Sequence, residues 1–126
     1  MFKFTVTSFF LTLLAVASAI VWNPTITTPT TGTKWRAGQK YTVRWNTKVD
    51  GQDIPDNVRG AIKLGYHEGN SINEHLYWDL ASDFQLNKGY QTITLPKDLK
   101  TRTRYIIVLM GDSGNASKEF KIDASR

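Results

Sequence analysis

Apolar and polar residues alternate along short segments of the chain, and this period of two constrains the fold more than any other feature. In the segment KYTVRW, the apolar side chains of Tyr41, Val43 and Trp45 alternate with polar ones. Successive side chains of a β-strand point to opposite faces, so this alternation is typical of a strand with one buried face. A helix would instead repeat its apolar residues every three or four positions. The chain is therefore predicted to be built from strands.

Other segments show the same alternation or form short apolar runs. Strands are predicted at about 21–27, 61–66, 91–95, 105–110 and 118–122. The run YIIVLM at 105–110 is apolar on both faces, which predicts a central strand. The segment 75–86 fits both a helical stripe and a strand, and we predict a strand with an irregular end. About seven short strands separated by turn residues predict an all-β fold, an immunoglobulin- or fibronectin-III-like antiparallel sandwich.

The chain contains no cysteine, so a disulfide cannot hold the two sheets together. Trp45 is predicted to fill the space between the sheets as a core residue. Its predicted neighbours are Tyr105, Ile107, Leu109 and Phe120. Tyr105 is also placed to form a tyrosine corner, in which the hydroxyl bonds to upstream backbone. Gly38 is predicted to form a tight turn before the strand at 41–45.

The first nineteen residues resemble a secretory signal peptide. Lys3 precedes an apolar stretch at 9–16, and Ala17-Ser18-Ala19 provides a small-residue cleavage site. The apolar stretch is roughly half of the ~20 residues that a membrane-spanning helix needs. We therefore predict a signal peptide at 1–19, a single secreted domain at 20–126, and no membrane span.

The formal net charge is +5, and the basic residues are scattered along the chain. A secreted protein rarely meets nucleic acid, so no nucleic-acid partner is predicted. The charge is interpreted as favouring solubility and weak attraction to anionic surfaces.

No pattern of catalytic or metal-binding residues is found. His67 and His75 do not match a zinc spacing and are interpreted as solvated loop residues. A glycosidase needs two carboxylates across a cleft. Two pairs are available, Asp79 with Asp83 and Asp112 with Glu119. No catalytic residue, metal or cofactor is predicted.

The sequence Asn115-Ala116-Ser117 is a glycosylation sequon. It falls in the predicted last hairpin turn, so Asn115 is expected to be exposed and glycosylated.

Several aromatic residues are not clearly assigned to the core and are candidates for stacking on a ligand. They are Trp22, Trp35, Tyr77, Trp78 and Tyr90. For Trp35, core packing and ligand stacking both remain open. Tyr77 and Trp78 are neighbours on a predicted strand, so one of them should face outward.

Some of these residues also carry a family resemblance. The spacing of Pro29, Gly32, Trp35, Ala37-Gly38 and Tyr41-x-Val43-x-Trp45 resembles the opening of the fungal Knh-like domain. The segments at 62–66, 105–109 and 120–122 are similar to its later strands. This domain is the N-terminal part of a yeast cell-wall synthesis family and also occurs in Ser/Thr-rich GPI-anchored membrane proteins.

The resemblance implies an immunoglobulin-like sandwich and a role at the cell wall, in β-1,6-glucan assembly. It implies no catalytic residues. The sequence ends at Arg126 without a Ser/Thr-rich stalk or a lipid-anchor signal, so a stand-alone secreted domain is expected.

Three functions are considered. The first is a non-enzymatic wall-associated protein that binds wall polysaccharide such as β-glucan, or contributes to wall organisation. The second is a secreted, effector-like protein that binds an extracellular protein partner. The third is a small glycan hydrolase.

Overall fold

The structure, a computed structural model, describes residues 20–71 and 75–126. The described residues form eleven β-strands and one short 3-10 helix. In chain order the strands are β1 (Ile26–Thr28), β2 (Lys34–Arg36), β3 (Lys40–Trp45), β4 (Lys48–Val49), β5 (Gln52–Asp53), β6 (Arg59–Tyr66), β7 (His75–Gln85), β8 (Tyr90–Thr94), β9 (Arg102–Met110), β10 (Gly114–Ala116) and β11 (Phe120–Asp123). The helix is Leu86–Lys88. The prediction of an all-β fold is confirmed.

Two sheets pack face to face as a sandwich. The smaller sheet has the order β1-β3-β8, and the larger has the order β2-β11-β9-β6-β7, with β10 paired to β9. Strands β4 and β5 form a separate hairpin. Pairing is antiparallel except between β2 and β11, which are parallel. The central position of β9 agrees with its apolar sequence, since both of its faces are covered.

The strands differ from the prediction mainly where they are short. Strands β2, β4, β5 and β10 were not predicted, because two or three residues are too few to show a period. The predicted opening strand at 21–27 is observed only as Ile26–Thr28, which pairs with β3. The segment 75–86 is a strand up to Gln85, as predicted.

Trp45 lies between the two sheets and is 4% exposed. Its indole Nε1 donates a hydrogen bond to the Leu86 carbonyl oxygen at 2.7 Å. Its ring centroid lies 5.6 Å from that of Phe84, at the end of β7. Phe84 was not among the predicted neighbours. Tyr105 and Phe120 belong to the same buried core.

Tyr105 forms the predicted type of corner at the start of β9. Its hydroxyl donates to the Lys100 carbonyl oxygen at 2.6 Å. Burial raises the pKa of this phenol, so the hydroxyl keeps the proton that it donates. The contact ties the segment before β9 to the centre of the larger sheet.

Gly38 forms the tight turn between β2 and β3. Its φ is 83°, a left-handed conformation that favours glycine. Its N–H donates to the Pro96 carbonyl oxygen at 3.1 Å. The turn therefore joins the start of β3 to the end of β8.

Candidate functional site

Strand β7, at one edge of the larger sheet, pairs with β6 through three β-bulges. The pairing skips one residue of β7 at each bulge: Tyr77, Leu80 and Asp83. An extra residue in one strand interrupts the alternation of side-chain direction. Residues that a regular strand would place on opposite faces can therefore share one face of β7.

The first bulge brings four rings together at the edge of the sheet. We use the term aromatic patch for Tyr66, His75, Tyr77 and Trp78. The His75 ring stacks on Tyr66 with 5.4 Å between centroids and on Tyr77 with 5.9 Å. The Tyr77 and Trp78 rings meet edge to face at 5.7 Å. Tyr77 is 62% exposed, so this ring is the part of the patch most available to a ligand.

The bulge also changes the expected arrangement of Tyr77 and Trp78. We predicted opposite faces, but their ring centroids lie 5.6 and 6.2 Å from that of Tyr66. Trp78 is half-buried and packs against the core, whereas Tyr77 is exposed. Tyr77 is therefore the accessible ring of the pair, and Trp78 packs against both Tyr77 and the core.

Gly65 allows β7 to approach β6 closely under the patch. A Cβ atom at this position would lie 2.4 Å from the His75 carbonyl oxygen and 2.6 Å from Leu76 Cδ2. Both distances are far below van der Waals contact. Because Gly65 has no side chain, the first residues of β7 can lie this close to β6.

Arg102 places a positive charge at the base of the patch. Its guanidinium carbon lies 3.8 Å from the centroid of the Tyr66 ring, a cation–π contact. Within residues 20–71 and 75–126, no ion pair joins Arg102 to a carboxylate. The patch therefore combines an exposed ring face with polar groups nearby, a surface suited to the apolar C–H face of a sugar.

Trp35 does not belong to this site. It is 6% exposed, stacks on Tyr41 with 4.6 Å between ring centroids, and meets Phe120 edge to face at 4.9 Å. The Tyr41 hydroxyl accepts a hydrogen bond from the Arg36 N–H at 2.7 Å, which holds the stack in place. This burial decides between the two alternatives for Trp35 in favour of core packing and corrects its selection as a ligand residue.

Trp22 lies apart from the patch, near the turn after β9. The backbone N–H of Trp22 donates to the Asp112 carboxylate at 3.1 Å. The backbone carbonyl oxygen of Trp22 accepts from the backbone N–H of Asp112 at 3.2 Å. The indole is half-buried against the core. These contacts give Trp22 a packing role at the N-terminal segment.

Asn115 is less exposed than expected. It lies in β10, half-buried, and its amide nitrogen donates to the carbonyl oxygens of Pro24 at 2.8 Å and Asn23 at 3.2 Å. Ser117 of the same sequon is buried, and its hydroxyl accepts from the Ile107 N–H at 3.0 Å. Both polar side chains of the sequon therefore form hydrogen bonds to the backbone of the folded domain. Glycosylation of Asn115 stays a prediction.

The two histidines are not free loop residues as interpreted. His75 is part of the patch. His67 Nδ1 lies 2.6 Å from Glu119 Oε2, which also accepts from Arg104 Nε at 2.8 Å. The hydrogen bond with His67, and then Arg104, lower the pKa of the Glu119 carboxyl. Sequence spacing could not show this contact, because His67 and Glu119 lie far apart in the chain.

Two kinds of feature are absent from the part of the chain that the structure describes. It contains no group of three or more His, Asp or Glu side chains placed to hold a metal ion. It also contains no helix with the length and apolarity that crossing a membrane requires.

A comparison with family models decides the family. The model of the Kre9/KNH-like N-terminal Ig-like domain matches residues 28–122, which is most of the chain. The chain belongs to this family. The Kre9/KNH-like family is linked to cell-wall glucan assembly and is not a known class of enzyme.

Comparisons of this Kre9/KNH-like domain with individual proteins give information on its fold only. The chain is similar to the crystal structure of an uncharacterized protein from Bacillus anthracis str. Ames, with a TM-score of 0.50 and 20% identity. The similarity covers 73% of this chain and 77% of the other. No curated protein matches the chain.

The sequence of this Kre9/KNH-like domain predicts only some residues of the aromatic patch as ligand residues. Tyr77 and Trp78 were selected because they are adjacent aromatic residues on a strand. Tyr66, His75 and Arg102 were not selected as ligand residues, because β6, β7 and β9 bring them together only in the folded sheet. The one local signal was the position of His75, two residues before Tyr77.

Proposed function

We propose that this Kre9/KNH-like domain is a secreted, non-enzymatic protein that binds cell-wall polysaccharide through the aromatic patch. The observation that carries the proposal is the Tyr77 ring, which is 62% exposed and stacked beside His75. An exposed ring within a cluster of rings is a surface on which a ligand can stack, and sugar rings present C–H faces that suit it. The link of the family to glucan assembly supports β-glucan as the polymer.

Secretion is part of the same proposal. It depends on the signal-peptide prediction for residues 1–19, which lie outside the described residues. The family is cell-wall related, which agrees with an extracellular location.

The carboxylate pairs considered for hydrolysis have other partners. Asp79 lies 3.4 Å from Lys63 Nζ, and Asp83 forms a hydrogen bond with Arg59 Nε at 3.1 Å. Glu119 has a lowered pKa, whereas a general acid needs a raised one. These carboxylates are therefore engaged in contacts within the fold, and none of the contacts supports hydrolysis.

The bulges of β7 also weigh against one form of protein binding. Strand addition needs a regular edge with free backbone groups, and bulges interrupt that edge. Three bulges in eleven residues make β7 a poor template for a partner strand. The exposed ring, rather than the backbone, is therefore the feature of this edge that fits a ligand.

Retention on insoluble β-glucan and chitin tests the proposal. We expect Tyr77→Ala to weaken retention by roughly tenfold, corresponding to a loss of about 1.4 kcal/mol. Tyr90→Ala is the matched control, because Tyr90 is 46% exposed but lies on β8 in the smaller sheet. Circular dichroism checks that both variants fold.

Two outcomes would contradict the proposal. In the first, Tyr77→Ala and Tyr90→Ala are retained equally. In the second, the unmodified protein is retained on no wall polymer, and the extracellular protein partner becomes the leading hypothesis.

A further inference from the structure

A second surface of the molecule carries a charge pattern that the aromatic patch does not explain. A shallow groove of about 480 Å³ lies over the ends of β2 and β11. We use the term lysine groove for it. Its polar lining consists of Lys34, Lys118 and Lys121 with Thr31, Thr33, Thr103 and Glu119.

The parallel pairing of β2 with β11 creates this lining. Lys34 and Lys121 are partners in the register, as are their neighbours Trp35 and Ile122. Trp35 and Ile122 are buried in the core. Since side chains alternate along a strand, the two lysines project from the outer face of the sheet.

The one acidic residue of the described lining, Glu119, is already compensated, and so is one of the three lysines, Lys121. The Glu119 carboxylate contacts both His67 and Arg104. Lys121 Nζ lies 3.2 Å from Asp123 Oδ1. Lys34 and Lys118 form no ion pair within the described residues. The groove therefore has two uncompensated positive charges.

We infer that the lysine groove binds a polysaccharide that carries anionic groups, such as sulfate, phosphate or carboxylate. Lys34 and Lys118 pair with the anionic groups, and the threonine hydroxyls bond to sugar hydroxyls. In the described lining the only aromatic residue is Phe120, which is buried, so no ring is available for stacking on a nucleic-acid base. The formal net charge, +5 for the whole sequence and about +4 without Lys3 of the predicted signal peptide, also favours an anionic ligand.

Titration with dextran sulfate, and with uncharged dextran of the same length, tests this inference. We expect the protein to bind dextran sulfate and not dextran. Binding should weaken as salt rises from about 0.01 M to about 1 M, because the screening length falls from about 30 Å to about 3 Å. Polyglutamate, an acidic peptide without sugar hydroxyls, should bind at least about tenfold more weakly than dextran sulfate.

A pair of charge-matched double variants locates the site. Lys34→Glu with Lys118→Glu should lower the affinity for dextran sulfate at least about tenfold. Lys40→Glu with Lys88→Glu changes the net charge equally but lies on β3 and in the 3-10 helix, and should lower it less than about threefold. All four lysines are exposed, so the variants should fold. Tyr77→Ala should leave this binding unchanged, which separates this inference from the proposed function.

Amide NMR shifts of the unmodified protein provide a readout that needs no variant. Dextran sulfate should shift the resonances of Thr31, Thr33 and Lys118. The inference is overturned if the shifts lie elsewhere or if dextran sulfate does not bind at low salt. It is also overturned if dextran or polyglutamate binds as tightly, or if the two double variants lose affinity equally.

Discussion

At the scale of single residues, the core depends on a tryptophan that is both apolar filler and hydrogen-bond donor. The Trp45 indole packs beside Phe84 and donates to the Leu86 carbonyl oxygen. Trp45 belongs to the smaller sheet, and the other two residues lie at the end of β7 and in the 3-10 helix. One side chain therefore joins the two layers by packing and by a directed polar contact.

Two substitutions of Trp45 should separate these contributions. Trp45→Phe keeps most of the apolar volume but leaves the Leu86 carbonyl without its donor, which should cost about 1–3 kcal/mol. Trp45→Ala also creates a cavity and should cost about 3–5 kcal/mol. Urea unfolding gives both values, and Tyr90→Ala serves as an exposed control with a change below about 0.5 kcal/mol. A Trp45→Phe variant as stable as the unmodified protein would contradict the role of the hydrogen bond.

The predictions for single residues succeeded where a local pattern decides burial. Trp45 ends an alternating strand, and Tyr105 begins an apolar one, so both were placed in the core from sequence. Trp35 could not be assigned in the same way. Its burial requires the parallel contact of β2 with β11 and the stack on Tyr41, and neither is encoded by residues next to it.

At the scale of elements, β7 explains why its sequence fitted two patterns. Leu76, Leu80 and Phe84 are four positions apart, a spacing typical of a helix. In the structure these residues lie on a strand whose bulges skip Tyr77, Leu80 and Asp83. The bulges arise from pairing with β6, so the strand was predictable from sequence, but its register and the resulting patch were not.

Gly65 on β6 should control the geometry of this strand. In Gly65→Ala the new methyl would meet the His75 carbonyl, and we expect a cost of about 1–3 kcal/mol as β7 moves away. Retention on β-glucan should fall as well, because the patch begins at His75. Urea unfolding and the retention assay measure the two effects.

Gly114→Ala provides the comparison for this variant. The atoms nearest to a methyl at Gly114 would belong to the side chains of Met110 and Val108, at 3.1 and 3.3 Å, and not to the backbone. If Gly65→Ala were as stable and as well retained as Gly114→Ala, close packing at Gly65 would not determine the position of β7.

At the scale of the whole molecule, one carboxylate connects distant parts of the chain. Glu119 precedes β11 and contacts His67, which follows β6, and Arg104 of β9. Arg104 also donates to the carbonyl oxygens of Gly69 and Ser71. The network fixes the segment after β6 to the centre of the larger sheet.

This network should make stability depend on pH in the acid range. The pKa of Glu119 lies below its ordinary value of 4.5 in the folded protein. Its contribution to stability is therefore present above the unfolded pKa and is lost as the pH falls through the folded pKa. We expect Glu119→Gln to be less stable than the unmodified protein at about pH 6, with a difference that shrinks below about pH 4.5.

Urea unfolding at several pH values measures this difference. Asp53→Asn is a suitable control, because its ion pair with Lys48 is highly exposed and should contribute little at any pH. A stability difference for Glu119→Gln that stays constant from pH 6 downward would refute the proposed origin of the pH dependence.

The amide of Asn115 has a consequence for the order of events during biosynthesis. Its nitrogen donates to two carbonyl oxygens of the N-terminal segment, those of Asn23 and Pro24. An N-linked sugar replaces one of the two amide hydrogens, so the sugar competes with these hydrogen bonds in the folded domain. On the proposed secretory route, sugar transfer to Asn115 would therefore have to precede docking of the segment at 23–24, and a chain that folds first would remain unmodified.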